Sequence, residues 1–266
     1  MSTVRVAVVG NLSLDLVDDG PPRPGGPPLY AGRALAALGV PALVCAKCAQ
    51  RDRSRLLPAL RALEVPIELR EGKSTARYRF SYDGDRRRME VRELGEPWRP
   101  DEVGRVVGAQ WIHVGALFRG EFPEETLAAL ATQARVSFDG QGLVRPARTG
   151  PLVLEPEPEP SFLRHVSVLK LSEEEARALV GRLEERALSE LGVPEVVVTL
   201  GSRGCIVVAR RRLVHVPAEL VADCDPTGAG DAFAASYIVE RSRGMGPRRA
   251  AERATRLVHR LLASSR

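Results

Sequence analysis

The sequence predicts an α/β fold, a mostly parallel sheet with helices on both faces. Two observations carry that expectation. Short β-branched runs such as Arg5–Gly10 and Glu195–Leu200 have the continuous apolar character of strands buried on both faces. Between such runs lie Ala- and Leu-rich amphipathic stretches, and alternation of this kind builds parallel sheets.

Arg5–Gly10 reads as the first strand, and Ala31–Leu38 as a helix closed by Gly39. Ala42–Ala46 is a second strand and Arg53–Leu63 an amphipathic helix. Residues 67–92 interrupt the alternation. Ile67–Arg70, Ala76–Tyr82 and Arg87–Arg92 read as short strands, with Tyr78, Phe80 and Tyr82 on one face and Asp83-Gly84 as a hairpin turn. An antiparallel patch inserted in an α/β chain is a candidate lid; an edge hairpin of the main sheet is the alternative. Trp111–Val114 and Val136–Phe138 resume the strands around a helix at Glu124–Ala134. Alternating Glu and Pro from Glu155 to Pro160 form an extended, solvated connection. Val166–Leu171 follows as a strand, and Ser172 with Glu173, Glu174 and Glu175 opens a helix as a capping box. Glu195–Leu200 is the next strand, Gly204–Ala209 and Leu213–Val216 a hairpin, and Pro247–Ala263 an Arg-rich amphipathic helix.

A chain of 266 residues, 44% hydrophobic, can bury one large core, and residues 1–266 are expected to form a single domain. The net charge is +5, and all but three of the 39 basic residues (Lys47, Lys73 and Lys170) are arginines. They are spread along the chain, without the clustered face and reading element of a nucleic-acid binder. Cys45 and Cys48 have the spacing of a metal or redox pair, but Cys205 and Cys224 form no second close pair, so buried, reduced thiols are expected. No apolar run is long enough for a signal core or a membrane span, which points to a cytoplasmic protein without a membrane partner.

The chemistry concentrates in Asp225-Pro226-Thr227-Gly228-Ala229-Gly230-Asp231, which runs into the helical pattern Ala232–Ile238. Small residues at a helix start leave backbone N–H groups free to hold an anion, at the positive end of the dipole. Such a nest can stabilise the oxygens of a phosphoryl group in transfer. Asp231 is out of place in a simple anion site, because like charges repel. It makes sense as a general base for an attacking hydroxyl. Asp225 either contacts a magnesium shell or holds the loop.

These residues resemble the C-terminal signature of the ribokinase-like (PfkB) carbohydrate kinases, Asp-x-Thr-Gly-Ala-Gly-Asp-Ala-Phe. Gly10-Asn11-Leu12-Ser13-Leu14-Asp15 is similar to that family's first strand and substrate-binding aspartate. Gly25-Gly26 is similar to its double-glycine signature, Ser172–Glu175 to its Asn-x-x-Glu, and Thr199–Gly204 to its nucleotide-binding strand and loop. The resemblance implies a three-layer αβα fold with a β lid drawn from about 11–30 and 67–95, and the use of ATP and Mg²⁺. A monovalent cation is compatible with it. It implies Asp231 as catalytic base and Gly228, Ala229 and Gly230 as the anion hole. Thr199, Gly201, Gly204, Asp225, Thr227, Lys170 and Glu175 fall on the nucleotide side, with Glu175 acting indirectly at the metal. Asp15, Gly25 and Gly26 fall on the acceptor side.

The chain also departs from that pattern. Tyr30 stands where many sugar kinases carry an asparagine, Ser172 replaces an asparagine, and Phe138–Gly142 followed by Arg145 is unlike most ribokinases. Together these features resemble the inositol- and cyclitol-kinase-like branch. Tyr30 and Arg145 thereby become acceptor-side candidates; Arg145 facing the triphosphate, or lying on the surface, is the alternative. The sequence stops soon after its last helix, which predicts an abbreviated adenine pocket. The function expected is ATP-dependent phosphorylation of a small polyol, a sugar or a cyclitol such as inositol. Alternatives are a nucleoside kinase, with Tyr30 stacking on a base, and a catalytically idle nucleotide-binding regulator. A homodimer could pair through the lid edge.

Overall fold

The computed structural model describes residues 5–18, 20–83, 86–104, 106, 108–156, 160–221 and 225–264. Cys224, Gly84 and the middle of the Glu-Pro segment lie outside the described residues. In chain order the strands are β1 (Val6–Asn11), β2 (Ser13–Val17), β3 (Arg23–Gly25), β4 (Ala42–Ala49), β5 (Ile67–Gly72), β6 (Ala76–Asp83) and β7 (Arg86–Glu93). They continue as β8 (Trp111–Gly115), β9 (Arg135–Asp139), β10 (Gly150–Pro151), β11 (Val168–Ser172), β12 (Glu195–Thr199), β13 (Cys205–Ala209) and β14 (Arg212–Val216). The helices are α1 (Pro27–Leu38), α2 (Arg53–Arg61), α3 (Glu124–Ala131), α4 (Gln141–Val144), α5 (Glu173–Val180), α6 (Glu185–Ser189), α7 (Ala229–Ser242) and α8 (Pro247–Ala263).

The main sheet runs β14-β13-β12-β11-β9-β8-β1-β4-β5. Its pairings are parallel from β12 through β5, and an antiparallel hairpin closes the other end. Adjacent residues of β1 divide between two cores. Val6 and Val8 pack with α1, α2, α7 and α8, whereas Ala7 and Val9 pack with α3, α5 and α6. Two apolar cores on either side of one sheet make the fold a three-layer αβα arrangement. Cys45 and Cys48 fall in opposite cores, and burial pushes their thiols up to about 12 and about 11, so the pair is not a metal or redox motif.

The second sheet, β10-β7-β6-β2-β3, carries the inserted patch. Some boundaries differ from the sequence expectation. Ile67–Gly72 is not part of this sheet; it pairs in parallel with β4 as the outer strand of the main sheet, after the α2 crossover. Ile67 and Leu69 pack on the core beneath α2, which explains the placement. Helix α1 starts at Pro27 rather than Ala31, because proline is well suited to the first helical turn. Ser13–Val17 and Arg23–Gly25, within the span expected for the lid, are strands: the first pairs with β6 and the second with the first. The patch rests on the loop after β8, with Tyr78, Phe80 and Val91 packed on Leu117 and Phe118.

Candidate active site

Residues of one strand alternate across the sheet. His113 of β8, Asp139 of β9 and Lys170 of β11 share the parity of Trp111, Ser137 and Val168, opposite to Ile112, Phe138 and Leu169; Asp139 ends its strand at the carboxyl edge, and His113 and Lys170 are the middle residues of theirs. Helix α7 packs on β8 and β9 and starts at that edge. Its first turn supplies Asp231, and His113, Asp139 and Asp231 bring ligand atoms within 4.8 Å of one another. Lys170 Nζ donates to Asp139 Oδ2 at 3.1 Å, and both side chains are buried. Glu175 enters from α5, where Ser172 and Glu175 form the expected capping box: Ser172 N donates to Glu175 Oε2 at 2.8 Å. Arg145, just past α4, brings Nη2 to 4.0 Å from Glu175 Oε1 and is largely buried, not a surface arginine.

Three carboxylates and two cations thus share one buried cluster. Burial and the neighbouring Asp139 carboxylate push Asp231 up to about 7, against the opposing pull of Lys170 and Arg145. Glu175 is raised too, by burial and then by Asp139. Burial would lower Lys170, but the Asp139, Glu175 and Asp231 carboxylates outweigh it and keep the ammonium charged. Burial lowers His113 to about 4, so its imidazole is neutral; Nδ1 lies 3.2 Å from Ser137 Oγ and Nε2 has no hydrogen-bond partner among the described residues. Asp231 Oδ1 is likewise buried without a partner.

The nest forms because Gly228 takes φ 78°, a left-handed conformation that a side chain would strain. Asp225 holds the loop: its Oδ1 accepts from Thr227 N at 2.9 Å and from Thr227 Oγ1 at 2.6 Å. Ala229 N donates to Pro226 O at 3.0 Å, whereas Gly230 N and Asp231 N have no backbone partner among the described residues. A Cβ on Gly230 would lie 2.7 Å from Lys170 Nζ, so the ammonium sits directly beside the nest.

The acceptor-side candidates converge on the same place. A Cβ on Gly228 would lie 2.2 Å from the Tyr30 ring, and one on Gly25 would lie 2.2 Å from Asp15 Oδ2. Gly26 takes φ +95° against Asn11 O. Burial, then Asp15 and Asp231, raise the Tyr30 phenol and keep it a neutral hydroxyl. Thr199, Gly201 and Gly204 lie one strand further out. Thr199 Oγ1 donates to Leu171 O at 3.2 Å, and the two glycines take positive φ in the turn after β12. The sequence reading passed over Asp139, His113 and Glu121 as site residues. Asp139 had a signal, a carboxylate ending a buried strand at the functional edge. Glu121 had none, because Arg119-Gly120-Glu121 reads as surface, yet its carboxylate is buried and accepts from Asn11 N and Leu117 N, tying the end of β1 to the loop after β8.

The pattern of the pfkB family of carbohydrate kinases matches residues 11–257. This chain belongs to that family. It is a carbohydrate kinase of the pfkB family, a phosphotransferase with an alcohol group as acceptor. A fructokinase of Klebsiella pneumoniae is 26% identical over 259 residues, covering 88% of this chain and 83% of that one. Among solved structures, a pyrophosphate-dependent kinase of the ribokinase family, complexed with a pyrophosphate analog and myo-inositol, superposes with a TM-score of 0.85 at 22% identity, over 97% of this chain and 95% of that one. A putative ribokinase II from E. coli in complex with ATP and Mg²⁺ superposes with a TM-score of 0.71 at 21% identity, over 95% and 90% of the two chains. These likenesses establish the ribokinase-like fold. Among the described residues no helix is long and apolar enough to cross a membrane.

Proposed function

We propose that this pfkB kinase transfers a terminal phosphoryl group from ATP to a hydroxyl of a small polyol, a sugar or a cyclitol such as myo-inositol. The observation that carries the proposal is Asp231: a buried carboxylate with one unpartnered oxygen, raised to about 7, in the first turn of a helix whose open N–H groups face the same space. A base for an alcohol works best when its pKa lies near the working pH. Asp231 Oδ1 takes the hydroxyl proton as the oxygen attacks. Gly228, Ala229 and Gly230 form the loop that receives the moving phosphoryl group, with the N–H groups of Gly230 and Asp231 aimed at its oxygens. Lys170 and Arg145 balance the developing charge. Asp15 and Tyr30 orient the acceptor, with Gly25 and Gly26 giving it room. Thr199, Gly201, Gly204 and Thr227 line the donor side.

The donor set suits Mg²⁺. Buried carboxylate oxygens of Asp139 and Glu175 are the hard ligands that this ion takes, directly or through water. Mg²⁺ bound there would neutralise charge on the donor phosphates, with Glu175 in an indirect role. A second donor reading is inorganic pyrophosphate, favoured by the pyrophosphate-dependent neighbour. The two share every group named here, since the nest and the cations contact phosphate alone. Sugars, myo-inositol and a nucleoside, each offered with ATP and with pyrophosphate in the presence of Mg²⁺, separate the alternatives by product formation. A phosphate monoester of a sugar or cyclitol supports the proposal; turnover confined to the nucleoside, or none with any pair, rejects it.

A further inference from the structure

A cavity of about 800 Å³ opens at the amino edge of the main sheet, opposite to the transfer site. Trp111 and Arg135, the first residues of β8 and β9, form part of its wall, together with Arg164 and with Arg241 near the end of α7. Asp231 and Arg241 are ten positions apart on one helix, which separates the two sites by about 15 Å.

The wall is basic and partly unbalanced. Arg241 is paired with Glu195, and Arg164 with Glu124. Arg135 is exposed and has no carboxylate partner among the described residues; its guanidinium carbon lies 5.6 Å from the centre of the Trp111 ring, and that of Arg241 lies 5.9 Å from the same ring. Helix C-termini attract cations, which accounts for Arg241, whose Nη1 donates to Met245 O. It does not account for Arg135, whose guanidinium has no hydrogen-bond acceptor among the described residues. One lining side chain also carries a buried atom without a hydrogen-bond partner among the described residues, Gln133 Oε1, whereas His165 Nε2 lies 3.6 Å from Glu124 Oε1. Polar atoms in that state are costly and usually have a partner.

We propose that this cavity is a second binding site, for a small phosphate-bearing polyol. Its anionic end pairs with the Arg135 guanidinium, and its hydroxyls face the polar part of the wall that Thr132 and Gln133 contribute. Charge-assisted pairing of arginine with phosphate is strong enough to select such a ligand over a neutral polyol. The site stands on the cavity and its side chains, independently of which acceptor the transfer site takes.

Trp111 and Trp98 are the two tryptophans of the chain, so a Trp98→Phe protein reports from Trp111 alone. That protein is titrated with glycerol 2-phosphate, with glycerol as the neutral control. A saturable change in Trp111 emission is expected with the phosphate ester and not with glycerol. Arg135→Glu should weaken it by about tenfold or more, and the milder Arg135→Gln by less, both without loss of kinase turnover in the absence of ester. Lys170→Met, which disables the transfer site, should leave the titration unchanged. An absent response, or one lost in Lys170→Met and retained in Arg135→Glu, overturns the proposal. If Trp98→Phe fails to fold, calorimetric titration of the Lys170→Met protein with and without Arg135→Glu decides it by the same criterion.

Discussion

In the proposed reaction the chemistry rests on one carboxyl group, Asp231, and its environment makes two pH effects testable. The group must be ionised to accept a proton, and its pKa is raised to about 7. Turnover should therefore fall as pH drops through about 7, on an acid limb that Asp231→Asn removes along with most of the activity. The stability effect follows from linkage. Between the ordinary aspartate range and about pH 7 the folded chain holds a proton at Asp231 that the unfolded chain has released. Stability then declines as pH rises across that window. Asp231→Asn, which cannot ionise, should raise the melting temperature at pH 7.5 and have little effect near pH 4; thermal unfolding at the two values checks this. Gly228 gives a steric test. Gly228→Ala adds a methyl group at a positive φ and into the Tyr30 ring, so it should lower turnover sharply. Steady-state kinetics would read the loss, and normal activity would show that the Tyr30 contact does not matter.

At the scale of elements, the site depends on strand ends being held in register. Glu121 ties the end of β1 to the loop after β8 by accepting from Asn11 N at 3.3 Å and Leu117 N at 2.6 Å with different oxygens. Glu121→Gln keeps the shape but replaces one acceptor with a donor, leaving a buried N–H unpaired. A loss of about 1–3 kcal/mol is expected in denaturant unfolding. The elements also mark what the sequence made legible. The strand series, the Ser172–Glu175 capping box, the α8 span and the nest before α7 all follow from local pattern, since periodicity, caps and glycine chemistry act within a few residues. The cluster at Asp139, Lys170 and His113 does not, because three separate strands must align before those side chains meet. Ile67–Gly72 was misplaced for a related reason. Its half-buried pattern suits either sheet, and only the α2 crossover decides. Glu121 was invisible, because nothing local distinguishes a buried carboxylate from a solvated one.

At the scale of the whole molecule, the second sheet is tied to the αβα body by charge. Arg77 of β6 donates to Asp52 at 2.8 and 2.9 Å and to Glu93 of β7 at 2.8 Å, while Arg51 pairs with Glu93 at 2.5 Å. Asp52 is buried, so removing Arg77 strands a carboxylate and loosens the seat of the sheet that carries Asp15. On the proposal that the second sheet acts as a lid, Arg77→Gln should raise KM for the acceptor several-fold, with a smaller effect on KM for the donor. Equal changes in both would place the network outside lid control.

The proposed function as a whole rests on Asp231 as base beside a phosphate nest. The most direct test compares wild type with Asp231→Asn, following phosphate monoester formation by ³¹P NMR with the best acceptor and donor pair, and measuring donor binding in parallel. The account predicts donor binding within a few-fold of wild type and a turnover lower by roughly 10²–10⁴-fold. Near-normal turnover in Asp231→Asn, or loss of donor binding together with turnover, would contradict it.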